Sequence, residues 1–257
     1  MVKPTFICIG VQKSGTTSLI NYMNEHPNVY MRKKEAHFFD KPKEIDQMDV
    51  EEYEKAFETD KSIVGEKTPS YCYLQYAIDR IYDYNPNIKL ILILREPIGR
   101  AYSQYNMEVQ RQNKDKPLDQ NNIMREMKKE LHVKLCDVKK NGNYFIIRGF
   151  YDEIIEYILS KFKKEQLLIC ISEEIRENKQ KYYNEIFEFL GTERLDNIPT
   201  DMDTHIRTYT KLIPNKVEKK LYKIYKLHNE KLYNLLGRRI AIWEKYYDEI
   251  QCRTQDK

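Results

Sequence analysis

Short, wholly apolar runs alternate along the chain with segments whose apolar residues recur every three or four positions. Thr5–Gly10, Ser62–Glu66, Ile88–Leu94 and Gln166–Ser172 are short runs rich in β-branched residues, and the pattern reads them as buried strands. Helical periodicity follows the first run, with Leu19, Ile20 and Met23 on one face and Pro27 ending it. Val50–Phe57, Ser70–Tyr84, Pro97 to about Arg111, Phe150–Phe162, Lys179–Leu190 and Val217–Leu236 also read as helices. Pro97 suits a first turn, and Gly191 and Gly237 suit C-caps. Gln112–Asn122 reads as a loop, Asn122–Lys140 as a charged amphipathic helix, and Thr192–Asn215 as mostly irregular. Strands that are apolar throughout, separated by helices, predict an α/β fold with a central parallel sheet flanked by helices in three layers. No internal repeat and no linker rich in Gly, Ser or Pro divides the chain, so a single domain over residues 1–257 is expected.

Composition narrows the function. Net charge is +4, from 44 Lys and Arg against 40 Asp and Glu, too balanced to mark a nucleic-acid binder. No stretch approaches the roughly 18–20 apolar residues of a membrane span. The first apolar run ends by Val11, too short for a secretory signal, so a cytoplasmic protein is expected. The five cysteines (Cys8, Cys72, Cys136, Cys170 and Cys252) show no metal spacing, and no metal site is expected. Cys8 and Cys170 fall inside predicted strands and read as small core residues in a reducing compartment. Two basic stretches stand out: Lys211, Lys216, Lys219, Lys220, Lys223 and Lys226, and Arg125, Lys128, Lys129, Lys134, Lys139 and Lys140. Each reads as a solvated face or as a track for an anionic glycan.

The chemistry begins after the first strand, at Gly10-Val-Gln-Lys13-Ser-Gly15-Thr16-Thr17. This approaches G-x-x-x-x-G-K-[ST], a loop that turns on glycines and aims N–H groups and a helix N-terminus at phosphate. Two departures matter. The lysine of that pattern is Thr16 here, and Lys13 lies three residues earlier. The strand Ile88–Leu94 leads to Arg95 rather than to a metal-holding Asp. The loop is therefore expected to hold a phosphate-like group without Mg²⁺, with Arg95 able to bind a further phosphate.

Gly10–Ser18 resembles the 5′-phosphosulfate loop of sulfotransferases that use 3′-phosphoadenosine 5′-phosphosulfate (PAPS), and LREPIGRAYSQY at 94–105 resembles their 3′-phosphate motif. KEAHFFD at 34–40, VGEKTPSY at 64–71 and NEKLYNLLGR at 229–238 resemble the heparan sulfate sulfotransferase branch and its bacterial relatives. The motifs run in the family's order over nearly the whole chain.

The resemblance implies a P-loop-like fold and in-line transfer of a sulfuryl group from PAPS to a hydroxyl or amine, here of a carbohydrate. It assigns Lys13 to the 5′-phosphate and bridging oxygen, and Ser14, Gly15, Thr16, Thr17 and Ser18 to the same phosphate. Arg95 and Ser103 would hold the 3′-phosphate. Glu35 takes the place of the general base, His37 and Asp40 line the acceptor site, and Lys67 lies across the sulfuryl group. His37 is the alternative base, since histidine titrates nearer neutrality. The region of the family's nucleotide-closing loop reads Thr204–Lys211 and lacks its disulfide, leaving Arg207 and Lys211 as candidates to close over the nucleotide. Arg148-Gly-Phe-Tyr151 resembles a bacterial motif of the branch and also reads as a structural element. A sulfotransferase of a small-molecule alcohol, a P-loop kinase or nucleoside triphosphatase, and a binding module without catalysis are the rival readings. Glycan or small-molecule acceptors are the expected partners, with neither nucleic acid nor membrane.

Overall fold

The computed structural model describes residues 2–41, 49–112, 130–140, 142, 144–199, 201–202 and 213–253. The chain divides into two compact units, one of Met1–Leu94 with Tyr157–Ile206, the other of Arg95–Glu156 with Arg207–Lys257.

The first unit is built on a parallel sheet of β1 (Phe6–Gly10), β2 (Val29–Met31), β3 (Ile63–Lys67), β4 (Lys89–Leu94) and β5 (Leu167–Ile171), in the order β2-β3-β1-β4-β5. Every residue of β1 and β3 is buried, as strands covered on both faces require. Its helices are α1 (Thr16–Asn24), α2 (Val50–Lys55), α3 (Gln75–Tyr84), α6 (Ser172–Glu177) and α7 (Lys179–Leu190). One core cluster packs Phe6, Cys8, Ile91, Ile93 and Cys170 of the sheet against Leu19 and Met23 of α1 and Ile186 and Phe187 of α7. Sheet and helices on this plan are the α/β fold expected. The caps follow local chemistry. Asp49 accepts from Glu52 N–H at the start of α2, Asn178 accepts from Lys181 N–H at the start of α7, and Gly191 closes α7 at φ 89.

The second unit is helical among its described residues. It holds α4 (Pro97–Gln112), the start of α5 (Tyr151–Leu159), α8 (Asn215–Leu236) and α9 (Ala241–Cys252). Glu96 opens α4, its carboxylate accepting from Ile98 N–H at 2.9 Å and Gly99 N–H at 2.6 Å. Tyr247 of α9 donates to the same carboxylate at 2.8 Å and accepts from Asn229 of α8 at 2.9 Å. The Arg148–Tyr151 motif has a structural place: Arg148 is buried and donates to Gly142 O, and Tyr151 donates to Arg95 O.

Several elements depart from the periodicity. β2 is three residues long, too short to register as an apolar run. Ser70–Tyr84 splits into a 3₁₀ turn at Tyr71–Tyr73 and α3. The predicted helix Asn122–Lys140 is not continuous: its described part breaks after Glu130 into turns with a 3₁₀ piece at Leu135–Asp137, and residues 122–129 lie outside the described residues. α6 and α9 were not expected. Cys8, Cys72 and Cys170 are buried, and burial pushes the Cys8 thiol up to about 12, which fits an inert core residue. Among the described residues, no helix is long and apolar enough to cross a membrane.

Gly10 ends β1 where the phosphate loop begins. A Cβ there would stand 2.4 Å from Cys72 Sγ and 2.9 Å from Cys72 Cβ. Gly10→Ala should therefore cost about 1–3 kcal/mol by overpacking. Differential scanning calorimetry should show a fall in Tm of roughly 2–12 °C for a chain of this size; an unchanged Tm would show that the Cys72 contact yields freely.

Candidate active site

Parallel strands bring their C-terminal ends to one edge, and loops leaving that edge meet. β2, β3 and β1 are neighbours in that order. The loop after β1 carries residues 11–15, the segment after β2 carries Glu35, His37 and Asp40, and Lys67 ends β3. Lys67 pairs in register with Cys8 of β1, and Arg32 N–H donates to Gly65 O, extending the β2 alignment toward Glu35. Three segments far apart in sequence thus converge within the first unit.

The phosphate loop is shaped for an anion. Lys13 and Gly15 both adopt left-handed backbone, at φ 77 and φ 89, so the chain turns twice within three residues. Alternation of this kind makes a concave array of N–H groups. Ser14 Oγ donates to Val11 O at 2.7 Å and braces the turn. Gly15 stands at the N-cap of α1, where no side chain caps the helix and no acidic residue occupies the first turn. The first backbone bond closing that turn runs from Ser18 N–H to Gly15 O. The N–H groups of Gly15, Thr16 and Thr17 and the positive end of the helix dipole stand toward an anion, while Ser14 N–H is already taken by Val11 O. This array fits the 5′-phosphate end of PAPS.

Beside the loop lies a chain of charged contacts. Lys67 Nζ donates to Thr17 Oγ1 at 3.2 Å and pairs with Glu35 Oε1 at 3.0 Å. The other Glu35 oxygen is 3.0 Å from His37 Nε2, and His37 Nδ1 is 2.9 Å from Asp40 Oδ2. Ser70 Oγ donates to that same Asp40 oxygen at 2.6 Å. Exposure is graded along the chain: the side chains of Lys67 and Asp40 are 5% and 0% exposed, Glu35 and His37 36% and 43%. The buried ends anchor and the open middle faces solvent. Partial burial raises the Glu35 carboxyl, but the His37 hydrogen bond and the Lys67 charge outweigh it and hold the group below its ordinary value. His37 takes a left-handed backbone, φ 48, uncommon for a side chain with a Cβ.

Of the residues expected in the site, the structure brings Thr17, Glu35, His37, Asp40 and Lys67 into one connected set, with Lys13, Ser14, Gly15, Thr16 and Ser18 in the adjoining loop and first turn of α1. Arg95 and Ser103 belong to the second unit, Arg95 just before α4 and Ser103 buried within it. Arg207 and Lys211 lie outside the described residues. Ser70 was missed; its signal was only its place in the motif at 64–71. Among the described residues, no group of three or more His, Cys, Asp or Glu is arranged to hold a metal ion.

Comparison with known proteins decides the family. The sulfotransferase domain family matches residues 3–229. The chain belongs to the sulfotransferase domain family. The heparan sulfate glucosamine 3-O-sulfotransferase 5 of Mus musculus is 34% identical over 170 residues, covering 65% of this chain and 47% of that protein. The membrane-associated sulfotransferase kil1 of Dictyostelium discoideum is 26% identical, covering 91% of this chain and 65% of that protein. The chain thus spans about half to two thirds of the length of these curated relatives. A sulfotransferase structure from Alicyclobacillus acidocaldarius shares the fold with a TM-score of 0.76, at 24% identity, over 95% of this chain and all of that one.

The electrostatics of Glu35 can be measured. By NMR titration its carboxyl should protonate below the ordinary 4.5. A lowered folded pKa means that the pairing stabilises the fold above the ordinary value and is lost as pH falls through the folded one. Lys67→Met should raise the midpoint. A wild-type midpoint at or above 4.5, or no rise in the variant, would contradict the pairing.

Proposed function

We propose that this sulfotransferase moves a sulfuryl group from PAPS to a hydroxyl or amine of a carbohydrate, with residues 1–257 working as one domain. The observation that carries the reading is the Thr17–Lys67–Glu35 chain of contacts, which ties the phosphate loop directly to a solvent-accessible carboxylate. When bound, PAPS supplies an electrophilic sulfur whose bond to the 5′-phosphate oxygen breaks as the bond to the acceptor forms.

The residues divide this work. Glu35 is ionised at neutral pH and accepts the proton leaving the acceptor. Lys67, anchored by Thr17, offers positive charge between that base and the loop. Lys13 and the N–H groups around Gly15 hold the 5′-phosphate and stabilise the negative charge that builds on it. Arg95 and Ser103 supply the forked and single donors suited to the 3′-phosphate. His37 and Asp40 set the acceptor face. Glu35, rather than His37, is favoured as base because both His37 ring nitrogens face carboxylate oxygens. Keeping both bonds needs a proton on each nitrogen, which leaves the ring no free site to accept another.

A glycan acceptor is supported by the 3-O-sulfotransferase relative, whose name gives heparan sulfate glucosamine as its acceptor. The buried thiols of Cys8 and Cys170 support placing the enzyme in a reducing compartment such as the cytoplasm.

The test is thermal denaturation with 3′-phosphoadenosine 5′-phosphate (PAP), ADP or ATP, each with and without Mg²⁺, followed by transfer assays from PAPS to glycan and small-alcohol acceptors. PAP at 100 times its Kd should stabilise by about 2.7 kcal/mol, a rise of roughly 5–10 °C, with or without Mg²⁺. Lys13→Ala and Glu35→Gln should abolish transfer, while Glu35→Gln keeps PAP binding. Stabilisation by ATP and Mg²⁺ alone would replace the reading with phosphoryl transfer, and wild-type turnover in Glu35→Gln would remove Glu35 as base.

A further inference from the structure

Glu66 is a carboxylate in the fully buried strand β3, with no exposed surface and, among the described residues, no ion-pair partner. Such residues are rare and require hydrogen-bond partners. Oε1 accepts from Tyr53 OH at 3.2 Å and Tyr71 OH at 3.1 Å. Oε2 accepts from Thr68 Oγ1 at 2.7 Å and Ala36 N–H at 3.3 Å. The two hydroxyls look outward to the same stretch of backbone. Thr68 Oγ1 accepts from Ala36 N–H at 3.2 Å and His37 N–H at 3.3 Å. Tyr71 OH accepts from Phe38 N–H at 2.9 Å and Phe39 N–H at 3.3 Å. Four consecutive amides, 36 to 39, thus hang on two hydroxyls that hang on one carboxylate.

The polarity of this arrangement is set by proton counting. Each hydroxyl has one proton. If its lone pairs receive backbone N–H groups, its proton must point elsewhere, and an acceptor-only carboxylate is the group that receives both. We propose that Glu66 is a positioning residue: acting through Thr68 and Tyr71, it holds the backbone of residues 36–39, and with it Glu35, His37 and Asp40, in the reacting arrangement. This rests on the sulfuryl-transfer reading above. It also accounts for how His37 is kept at φ 48, because strained backbone persists where surrounding bonds over-determine it. Burial holds the Glu66 carboxyl above its ordinary value, against the pull of the hydroxyl and amide donors.

Glu66→Gln keeps the shape and breaks the polarity. Whichever way the amide turns, its NH₂ meets a hydroxyl proton, and that hydroxyl can no longer face the backbone N–H groups. Hydrogen–deuterium exchange followed by mass spectrometry should show the segment 36–39 exchanging about ten times faster in Glu66→Gln, with β1 and β4 unchanged. PAP affinity by calorimetry should stay within about two-fold, because the phosphate loop is not held by this network, while kcat falls about 10- to 100-fold. The acid limb of the kcat profile should move to higher pH as Glu35 loosens from Lys67 and His37. Adding Thr68→Val to Glu66→Gln should cost less than the product of the two single effects.

Unchanged exchange at 36–39 overturns the proposal. So does a loss of kcat with the acid limb unmoved and β1 and β4 exchanging as fast as the loop, which marks a purely structural role. Should Glu66→Gln not fold, Thr68→Val must free amides 36–37 and Tyr71→Phe amides 38–39; failure of either selective release overturns it equally. Wild-type protein that neither binds PAP nor transfers sulfate would sink the functional reading while the exchange result still judges the positioning role.

Discussion

A nearly buried ammonium held between a hydroxyl and a carboxylate is the constraint on which the site turns. Lys67 has almost no contact with solvent, so its charge needs close partners, and it finds them in Thr17 and Glu35. One partner sits in the first turn of α1 and the other follows β2. Satisfying the charge therefore ties the first turn of α1 to the segment after β2. The price is lower basicity at Glu35, whose pairing stabilises its ionised form. A carboxylate held below its ordinary value is ionised at neutral pH, which suits the role of base proposed for Glu35.

The sheet makes this possible. Because β2, β3 and β1 run parallel and adjacent, their C-terminal ends present three loops at one edge. The β1–β3 register aligns Cys8 with Lys67, which delivers the lysine to the loop that starts two residues later. Among the described residues, the two non-glycine positions with left-handed backbone, Lys13 and His37, both fall on segments that leave this edge. Left-handed turns at 13 and 15 aim N–H groups at an anion, and the turn at 37 is held by hydroxyls. Local cost is offset by the sheet beneath, whose strands β1 and β3 are buried throughout.

The helical unit shows the same use of buried polar groups to fix a terminus. Glu96 caps α4 with both oxygens and takes a third bond from Tyr247 of α9, so the residue beside Arg95 is held by two elements. Tyr151 holds the Arg95 carbonyl. The backbone that presents Arg95 is braced on both sides.

How much of this was legible in the sequence depends on the range of the interaction. The strands at 6–10, 63–67, 89–94 and 167–171 and the helix 179–190 were readable because apolar runs, β-branching and cap residues act within a few positions. The motifs at 10–18 and 34–40 were readable because the residue types of a site lie close together in sequence. β2 was not, since three residues carry no period, and it is a strand only because β3 lies beside it. The break after Glu130 was not, because its carboxylate is taken by the N–H groups of Phe145 and Ile146, bonds no local pattern reports. Glu66 read as the end of an apolar run. By itself the sequence determined that a parallel α/β sheet would form and that its loops carry motifs like those of sulfotransferases. Only the tertiary structure decided that Lys67 closes on Glu35 and Thr17, and that the buried Glu66, Thr68 and Tyr71 gather the four amides after Glu35, because both depend on strand order and burial, which join residues about thirty or more positions apart.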